Sequence, residues 1–331
     1  MKTATTLYEL AKRLNLSTAT VSRALKNHPN IAPATKKRVL ELAKELDYEP
    51  NAYAVSLRTS SSKELGIIVP SLTGFFYDSF ITAVERLCKK EGYSLLIFVS
   101  GDSSEAELSS LKVCKQRKVD GIFVSLATNT RDLDYFEKLN AQGIPVIFVD
   151  RVPKENIGYK ICFEDEKAAK ISANYLMDKG KKKILSLFGD NHLSITRQRL
   201  KAFTQEFEAR GTLNNIQVHH ALGVQESSEI VKDVLSKSKN YDTIFCMTDE
   251  ILIGAMKTLQ VLGMKIPGDI GVMCMSNGFF PGLYYPEITY VETSGKKLGE
   301  TALLHMFGIL KKEIRENQVK LKSILVEGGS V

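Results

Sequence analysis

The sequence lacks several features that define common classes of protein. Its five cysteines occur singly, with no C-x-x-C pair and no neighbouring histidine pair, so they are expected to be buried small residues of a reducing compartment. No apolar run approaches the ~18 residues of a membrane-spanning helix. Residues 1–16 carry four charged side chains and no apolar stretch of signal-peptide length. We therefore expect a cytoplasmic protein with no membrane partner.

Motifs of catalysis are missing as well. The chain contains no G-x-G-x-x-G, no phosphate-cradling loop and no readable Ser-His-Asp constellation. Glu164, Asp165 and Glu166 form a carboxylate run, but they open a predicted helix, where acidic residues complement the helix dipole. His219 and His220 are adjacent, so in a strand they would point to opposite faces and could not share a metal. The sequence thus predicts neither an enzyme nor a cofactor or metal site.

The chain is long, and its charge is unevenly distributed. Its 331 residues, 44% apolar and 25% charged, are typical of a globular protein with two or three compact units. The net charge is +7, but residues 1–64 hold eleven basic and six acidic side chains and so contribute +5 of it. This asymmetry indicates that the N-terminal region contacts a polyanion.

The first fifty residues show apolar side chains at helical spacing and none of the alternation that is typical of strands. One helix is predicted over residues 7–14, a second around Val21, and a third over residues 33–46. Asn15 can adopt the left-handed conformation that a tight turn needs, and Ser17 is a good N-cap. The pattern predicts a small three-helix unit containing a helix-turn-helix.

In such a unit the second helix enters the major groove of DNA, and its early residues contact base edges. Arg23 can make a bidentate contact to guanine, and Ala19 or the Thr18 methyl group can touch a thymine methyl. The residues that suit phosphate contacts are Ser17, Ser22 and Lys26. On spacing alone, the alternative is an ordinary helical hairpin with a solvated outer face.

Beyond residue 65, short apolar runs alternate with longer amphipathic ones, as in βαβ units with mainly parallel sheets. Strands are predicted over residues 66–69, 95–99, 121–124, 146–149, 184–188, 243–247 and 270–275. Helices are predicted over residues 80–90, 105–116, 168–179, 199–209, 250–262 and 298–311. The length favours two doubly wound lobes, with a ligand cleft at the carboxyl ends of their strands.

Several of these segments resemble the LacI/GalR family of bacterial transcriptional regulators. The specific N-terminal signature lies in residues 6–11, 21–25, 38–40, 46–51 and 54–58. Looser matches to the family's sensor domain lie in residues 67–70, 74–76, 119–121, 144–151, 249–254, 263–270, 288–289 and at Gly299. The resemblance covers essentially the whole chain.

The resemblance implies a helix-turn-helix DNA-binding domain joined to an α/β, two-lobe, periplasmic-binding-protein-like sensor domain with doubly wound parallel sheets. The expected boundaries are residues 1–50 for the DNA-binding domain and 51–64 for a hinge helix and linker. Residues 65–331 would form the effector-binding and dimerisation domain. Lobe 1 would comprise about 65–160 and 293–325, and lobe 2 about 161–290.

The resemblance further implies a homodimer that binds a palindromic operator in double-stranded DNA, and hence an association with the nucleoid. A hinge of eight residues, 51–58, is marginal as an isolated helix and is expected to fold when two copies pack on DNA. Leu57 matches a leucine that wedges into the minor groove, where such a wedge unstacks a base step. The DNA contacts added by the resemblance are Thr6, Asn51, Ala54, Leu57 and Arg58.

The resemblance also implies an effector site, which consists of Phe75, Phe76, Asp150, Arg151, Arg199, Thr248, Asp249, Ser276 and Asn277. Phe75 and Phe76 match apolar or aromatic positions, whereas Asp150 and Arg199 match polar ligand contacts. For Asp249, the sequence supports a role as a helix N-cap as well as it supports a ligand contact. Ser276 stands where many relatives have an aspartate, so a relative's ligand cannot be transferred directly to this chain.

The expected effector is a small molecule, a sugar or sugar derivative, and the expected role is repression of carbohydrate-utilisation genes. The same residues suit a nucleobase or a phosphosugar, which would recruit Arg151 or Arg199. A protein co-effector is a further alternative. A transport binding protein shares the sensor fold, but it would need a signal peptide and would have no use for a helix-turn-helix.

Overall fold

The computed structural model describes residues 5–49, 61–238, 240–314 and 316–331. Contacts divide the chain into two units, Met1–Ser62 and Lys63–Val331. The described part of the first unit is helical, and the second is an α/β unit with two sheets. None of the helices in the described ranges combines the length and the apolar composition that a membrane span needs.

The first unit contains three short helices, which are α1 (Leu7–Leu14), α2 (Thr18–Leu25) and α3 (Pro33–Glu45). Each helix buries one apolar face in a shared core, because its apolar residues recur at helical spacing. Leu10, Val21 and Val39, one from each helix, are completely buried. The predicted three-helix unit is confirmed.

Side chains specify the turn between α1 and α2. Asn15 ends α1 in the left-handed conformation, with φ 54°, and the Oγ of Ser17 accepts the amide of Thr20 at 3.1 Å to begin α2. At the start of α1, the Thr6 hydroxyl accepts the Glu9 amide at 3.2 Å and the Glu9 carboxylate accepts the Thr6 amide at 2.7 Å. These bonds satisfy amides that a helix start leaves unpaired, and they set the direction in which α2 leaves the turn.

Lobe 1 of the second unit is built on a six-stranded parallel sheet. Its strands are β1 (Glu64–Val69), β2 (Ser94–Val99), β3 (Gly121–Val124), β4 (Val146–Val149), β5 (Tyr159–Phe163) and β11 (Gln318–Leu321), in the order β11-β5-β4-β3-β1-β2. Its helices are α4 (Phe75–Lys90), α5 (Ser104–Arg117), α6 (Asp134–Ala141) and α11 (Gly295–Leu310). The neighbours Ile67 and Ile68 belong to different buried clusters, so both faces of the sheet are covered.

Lobe 2 repeats this plan. Its strands are β6 (Ile184–Phe188), β7 (Ile216–His220), β8 (Thr243–Cys246), β9 (Gly271–Ser276), β10 (Thr289–Glu292) and β12 (Leu325–Val326), in the order β12-β10-β9-β8-β6-β7. Only β12 runs antiparallel to its neighbour in this described sheet. Its helices are α7 (Asp165–Asp178), α8 (Ser194–Ala209), α9 (Val224–Lys237) and α10 (Asp249–Val261).

The chain crosses between the lobes after Phe163, after Glu292 and after Leu321. The first crossing follows β5 and therefore lies slightly beyond residue 160, where lobe 1 was expected to end. The last crossing brings β12 back to lobe 2. Two doubly wound lobes with parallel sheets, as predicted, thus face one another across the crossings.

Candidate functional site

Helix α2 presents a polar surface beside the turn that precedes it. Its inner face is fixed by Val21 and Ala24, which are 0% and 1% exposed. The predicted base-reading and phosphate-contacting side chains that are exposed on its outer face are Thr18, Ala19, Arg23 and Lys26. This separation of faces is what a helix needs in order to pack on its own domain and enter a groove at the same time.

The other predicted DNA contacts fall into two groups. Thr6 and Ser17 are exposed, but their hydroxyls already cap α1 and α2, and Ser22 is half-buried. A capping hydroxyl still has acceptor capacity for a further donor. The hinge candidates Asn51, Ala54, Leu57 and Arg58 lie outside the described residues, and their roles stay predictions.

The second unit contains a cavity of about 290 Å³ between its lobes. It lies where strands end: Asp150 follows β4, Gly189 follows β6, Met247 follows β8, and Ser276 ends β9. Carboxyl ends of parallel strands are the usual ligand site of doubly wound sheets. We call this cavity the effector cleft.

Eight of the nine predicted effector residues line the effector cleft, namely Phe76, Asp150, Arg151, Arg199, Thr248, Asp249, Ser276 and Asn277. Phe75 is not among the described residues that line it. Its ring packs instead on Phe280 of lobe 2, with ring centroids 4.2 Å apart. Phe75 therefore contacts lobe 2 through its ring, and its role in ligand binding stays a prediction.

Asp150 occupies the centre of the crossing region in a backbone conformation that is uncommon for aspartate. Its φ is 59°, and its Oδ2 accepts the Tyr77 hydroxyl at 2.7 Å. The same hydroxyl lies 2.9 Å from the Ser125 Oγ. Burial raises the pKa of Asp150, whereas the charge of Arg151 and the bond from Tyr77 oppose that rise. This carboxylate is therefore oriented before any ligand arrives.

Both arginines of the effector cleft have carboxylate partners. Arg151 Nη1 donates to Asp102 Oδ1 at 2.5 Å, within lobe 1. Arg199 donates to Asp165 Oδ1 from Nε at 2.8 Å and from Nη2 at 2.6 Å, within lobe 2. Arg199 and Asp165 are 7% and 9% exposed, so this pair is buried, and Nη1 of Arg199 donates to no group in the described residues.

The start of α10 uses two predicted ligand residues for its own structure. Thr248, rather than Asp249, is the N-cap, because its side chain accepts the Ile251 amide. Asp249 is buried, and it accepts the Ser276 hydroxyl and the Asn277 amide, the latter at 2.8 Å. Burial raises the pKa of Asp249 to about 6, although both hydrogen bonds lower it. The sequence analysis noted Ser276 as the loss of an aspartate that many relatives have. In the structure, the Ser276 hydroxyl donates a hydrogen bond to the carboxylate of Asp249.

Asn277 of lobe 2 makes three hydrogen bonds to lobe 1. Its Nδ2 donates to the Phe75 carbonyl at 3.3 Å, and its Oδ1 accepts the Ser79 hydroxyl at 3.1 Å and the Gly295 amide at 2.8 Å. Glu250 of lobe 2 adds a fourth, since its Oε1 accepts the Phe75 amide at 3.2 Å. We call this set of five residues the interlobe clasp.

Glycine at position 295 brings α11 close enough to α4 for the interlobe clasp to form. A Cβ there would lie 2.3 Å from the Phe76 carbonyl oxygen, which is closer than atoms can approach. The same restriction applies at Gly299, where a Cβ would lie 2.7 Å from the Phe80 carbonyl oxygen. Gly299 is one of the residues that carry the family resemblance. The close contact between α11 and α4 explains why glycine is needed there.

Sequence reasoning missed several residues that line the effector cleft or hold its arginines. Tyr77 was missed because the apolar periodicity placed the start of its helix at residue 80, five residues too late. Asp165 was read correctly as a helix start, but the strand before it was not recognised, so its place at a strand end was hidden. Glu250 and Asp102 carry no local signal, because their partners lie on the other lobe or in a distant loop.

The effector cleft therefore offers a fixed carboxylate, two held guanidinium groups, an aromatic ring and an amide. Such a set can satisfy the hydroxyls of a sugar-sized ligand and stack against one of its faces. Within the described residues its charged groups are already paired or hydrogen-bonded, so they supply orientation without a large cost of reorganisation.

Two family models match this chain in tandem. The model described as "Bacterial regulatory proteins, lacI family" matches residues 6–51. The model described as "Periplasmic binding proteins and sugar binding domain of LacI family" matches residues 62–324. The two matches correspond to the helical unit and to the two-lobe unit.

Curated relatives cover nearly the whole chain. The HTH-type transcriptional repressor PurR of Vibrio vulnificus is 28% identical over 315 residues, which are 95% of this chain and 93% of that protein. The HTH-type transcriptional regulator RegA of Clostridium saccharobutylicum is 27% identical, and the match covers 99% of each chain.

Solved structures show the same fold. A lac repressor dimer bound to operator and the anti-inducer ONPF superposes with a TM-score of 0.86 at 19% identity, with 99% of each chain covered. A regulator from Alkaliphilus metalliredigens complexed with D-xylulofuranose superposes with a TM-score of 0.69 at 23% identity, covering 81% of this chain and 98% of that one. The family matches and the two-lobe architecture agree that this chain is a ligand-responsive, DNA-binding transcriptional regulator of the LacI family of bacterial regulatory proteins.

Proposed function

We propose that this protein is a homodimeric repressor of carbohydrate-utilisation genes, which binds a palindromic operator and is controlled by a sugar or sugar derivative in the effector cleft. The observation that carries the proposal is the junction of strand ends around one cavity, where Asp150, Arg199 and Asn277 converge from both lobes. The description of the matching sensor model as a sugar-binding domain supports the same class of ligand.

On DNA, Arg23 would read one guanine per half-site, and Ala19 with Thr18 would contact thymine methyl groups. Thr6, Ser17, Ser22 and Lys26 would hold the phosphates and so set the register. Two copies are needed because a helix-turn-helix of this kind reads two half-sites one helical turn apart. We assign the dimer surface mainly to lobe 1.

The proposed hinge couples the ligand to the DNA. In this scheme Asn51, Ala54, Leu57 and Arg58 form a short helix on the operator, with Leu57 in the minor groove and Arg58 beside the phosphates. A change in the angle between the lobes alters the spacing of two such hinges in a dimer. Only a ligand that binds the two arrangements with different affinity can change operator binding in this way.

A two-stage experiment tests the proposal. Selection from a random duplex library with purified protein is expected to return an inverted repeat. A thermal-shift screen against sugars, phosphosugars, sugar acids and nucleobases is expected to find one class that raises the melting temperature, since a ligand at a hundred times its Kd stabilises by about 2.7 kcal/mol. The ligand found must then change the affinity for the selected operator.

Two results would contradict the proposal. One is a selected site with no two-fold symmetry, which would rule out paired half-sites. The other is a ligand that binds tightly yet leaves the operator affinity unchanged. If a nucleobase is the only compound that binds, the effector is a nucleobase and not a sugar. If no small molecule binds and a protein copurifies, the effector is a protein.

A further inference from the structure

A second cavity opens between the lobes beside the effector cleft. Its volume is about 410 Å³, and it shares Arg151 and Leu193 with the effector cleft. Loops that follow β3 and β4 form its wall in lobe 1, and the segment that begins α8 forms its wall in lobe 2. The ionisable side chains among its described lining residues are Arg131, Arg151, Lys154, Glu155, His192 and Arg197.

The two exposed arginines of this cavity face it from opposite lobes, and neither has a carboxylate partner in the described residues. Arg131 Nη1 donates to the carbonyl oxygens of Thr128 and Thr130, both at 3.0 Å. Arg197 Nη1 donates to the carbonyls of Asn191 at 2.8 Å and His192 at 2.6 Å. In each guanidinium the Nε–Nη2 edge makes no hydrogen bond within the described part of the chain.

That edge is the one with which arginine binds a planar oxyanion through two parallel hydrogen bonds. Neutral oxygens can accept these N–H groups, but only an anion also supplies a counter-charge for the guanidinium. Pinning Nη1 to the backbone fixes the plane of each guanidinium, so less side-chain entropy is lost when an anion arrives.

The charge balance of the cavity also favours an anion. Arg151 is neutralised by Asp102 at 2.5 Å. Among the remaining described lining residues, Arg131, Lys154 and Arg197 are cationic and Glu155 is the single carboxylate. This excess of positive charge lines the cavity beside the effector cleft, and it favours an anionic ligand there.

Carboxylates hold in place the loop that bears Arg131 and the loop that leads into α8, the helix that bears Arg197. Glu107, which is 1% exposed, accepts the Ala127 amide at 2.8 Å and the Thr130 hydroxyl at 2.7 Å. On the other lobe, Asp190 accepts the His192 amide at 2.8 Å. Loops fixed in this way can present a binding group at a defined position.

We propose that this cavity is an anion subsite of the effector cleft, in which Arg131 and Arg197 bind a phosphoryl or carboxylate group from opposite lobes. The proposal rests on the proposed function of the effector cleft and narrows its ligand to a sugar phosphate or a sugar acid. An oxyanion held by both lobes binds one interlobe arrangement better than another, which is what a controlling ligand must do.

Calorimetric titration of the full-length protein without DNA tests the proposal. The probes are inorganic phosphate and matched pairs, such as glucose with glucose 6-phosphate and gluconate, and ribose with ribose 5-phosphate. The variants are Arg131→Gln, Arg197→Gln and the double substitution. Arg117→Gln on α5 is the control, because it removes one exposed arginine outside the cavity lining.

We expect at least one anionic member of a pair to bind more tightly than its neutral parent. Each single variant should weaken that binding by about tenfold or more, because it removes charged hydrogen bonds to the anion. The double variant should bind the anionic and neutral members equally, and Arg117→Gln should behave as wild type. All three substituted positions are exposed, so melting curves should show that each of the four variants is folded.

Phosphate binding that is equal in wild type and in the double variant indicates an adventitious ion only and overturns the subsite. A second result would also overturn the proposal, namely phosphate binding that needs the arginines but no preference for anionic sugars over neutral ones. The cavity would then bind a free anion, and the anionic group would not be part of the effector. Because these titrations contain no DNA, the subsite can stand even if operator binding fails to respond and the proposed function falls.

Discussion

Asp165 and Arg199 form a buried ion pair in which one carboxylate oxygen accepts both Nε and Nη2 of the guanidinium, at 2.8 and 2.6 Å. The pair joins the first turn of α7 to the second turn of α8 at the edge of the effector cleft. It holds the guanidinium in one orientation, so Arg199 acts toward a ligand through the geometry that Asp165 imposes.

Replacing Asp165 should therefore be costly. Asp165→Ala leaves a buried guanidinium without its partner, and such losses cost about 3–5 kcal/mol. The free energy of unfolding from urea titration measures this loss. The matched control is Asp178→Ala, which breaks an exposed pair with Arg210 between the same two helices and should cost under ~1 kcal/mol. Equal losses in the two variants would show that the burial of the first pair has no energetic consequence.

Asn277 should set how firmly the lobes are held together. Asn277→Ala removes all three of its bonds to lobe 1 and leaves the Gly295 amide unpaired, which should lower stability by about 1–3 kcal/mol. Without effector, small-angle scattering should show a larger radius of gyration because the interlobe clasp is broken. Asn174→Ala, which affects bonds within lobe 2 only, is the control. Superimposable scattering curves for wild type and Asn277→Ala would reject the role of the interlobe clasp.

Asp249 should make stability depend on pH in the acidic range. Its pKa in the folded protein is about 6, above the ordinary value of 3.8, so the folded state binds this proton more tightly than the unfolded state does. Its contribution to stability is complete below pH 4 and is lost as the pH rises through 6, with a total of roughly 3 kcal/mol.

Asp249→Asn removes this titration. The difference in unfolding free energy between variant and wild type should change by that amount between pH 4 and pH 7, with the variant gaining relative stability at the higher pH. Denaturant titrations at several pH values provide the measurement. Parallel stability profiles for the two proteins would mean that Asp249 titrates at an ordinary pKa.

Arg23 on α2 and Lys26, which directly follows that helix, should affect DNA binding differently, although both are exposed. Arg23→Ala should relax the preference at one base pair per half-site, with a loss of about 1–3 kcal/mol of discrimination. Lys26→Ala should weaken binding to all sequences alike, because phosphate contacts carry no sequence information. A binding selection with each variant measures this, and an unchanged base preference in Arg23→Ala would refute the recognition-helix assignment.

Leu57 should matter for specific binding far more than for nonspecific binding. A wedge in the minor groove acts only where the operator can be bent, so Leu57→Ala should reduce operator affinity strongly and nonspecific affinity little. Competition binding at fixed salt measures both affinities, since nonspecific binding depends steeply on ionic strength. Equal losses on both kinds of DNA would argue against the wedge.

The strands that the sequence revealed are those with an uninterrupted apolar run. The run at residues 121–124 became β3 and that at residues 146–149 became β4, because central strands of a parallel sheet are buried on both faces. Strands β7 and β11 were missed because polar residues interrupt their short apolar stretches, and β5 was missed because Lys160 interrupts its apolar run.

The sequence by itself determined the helix-turn-helix, the two doubly wound lobes and the family, because these depend on periodicity, on caps such as Asn15 and Ser17, and on ordered motifs. Through the family resemblance it also named eight of the residues that line the effector cleft. Only the tertiary structure decided their partners: Arg199 with Asp165, Asn277 with Phe75, and Asp249 with Ser276. The reason is that a buried polar group must find a partner in space, and the chain positions of these partners differ by 27 to 202 residues.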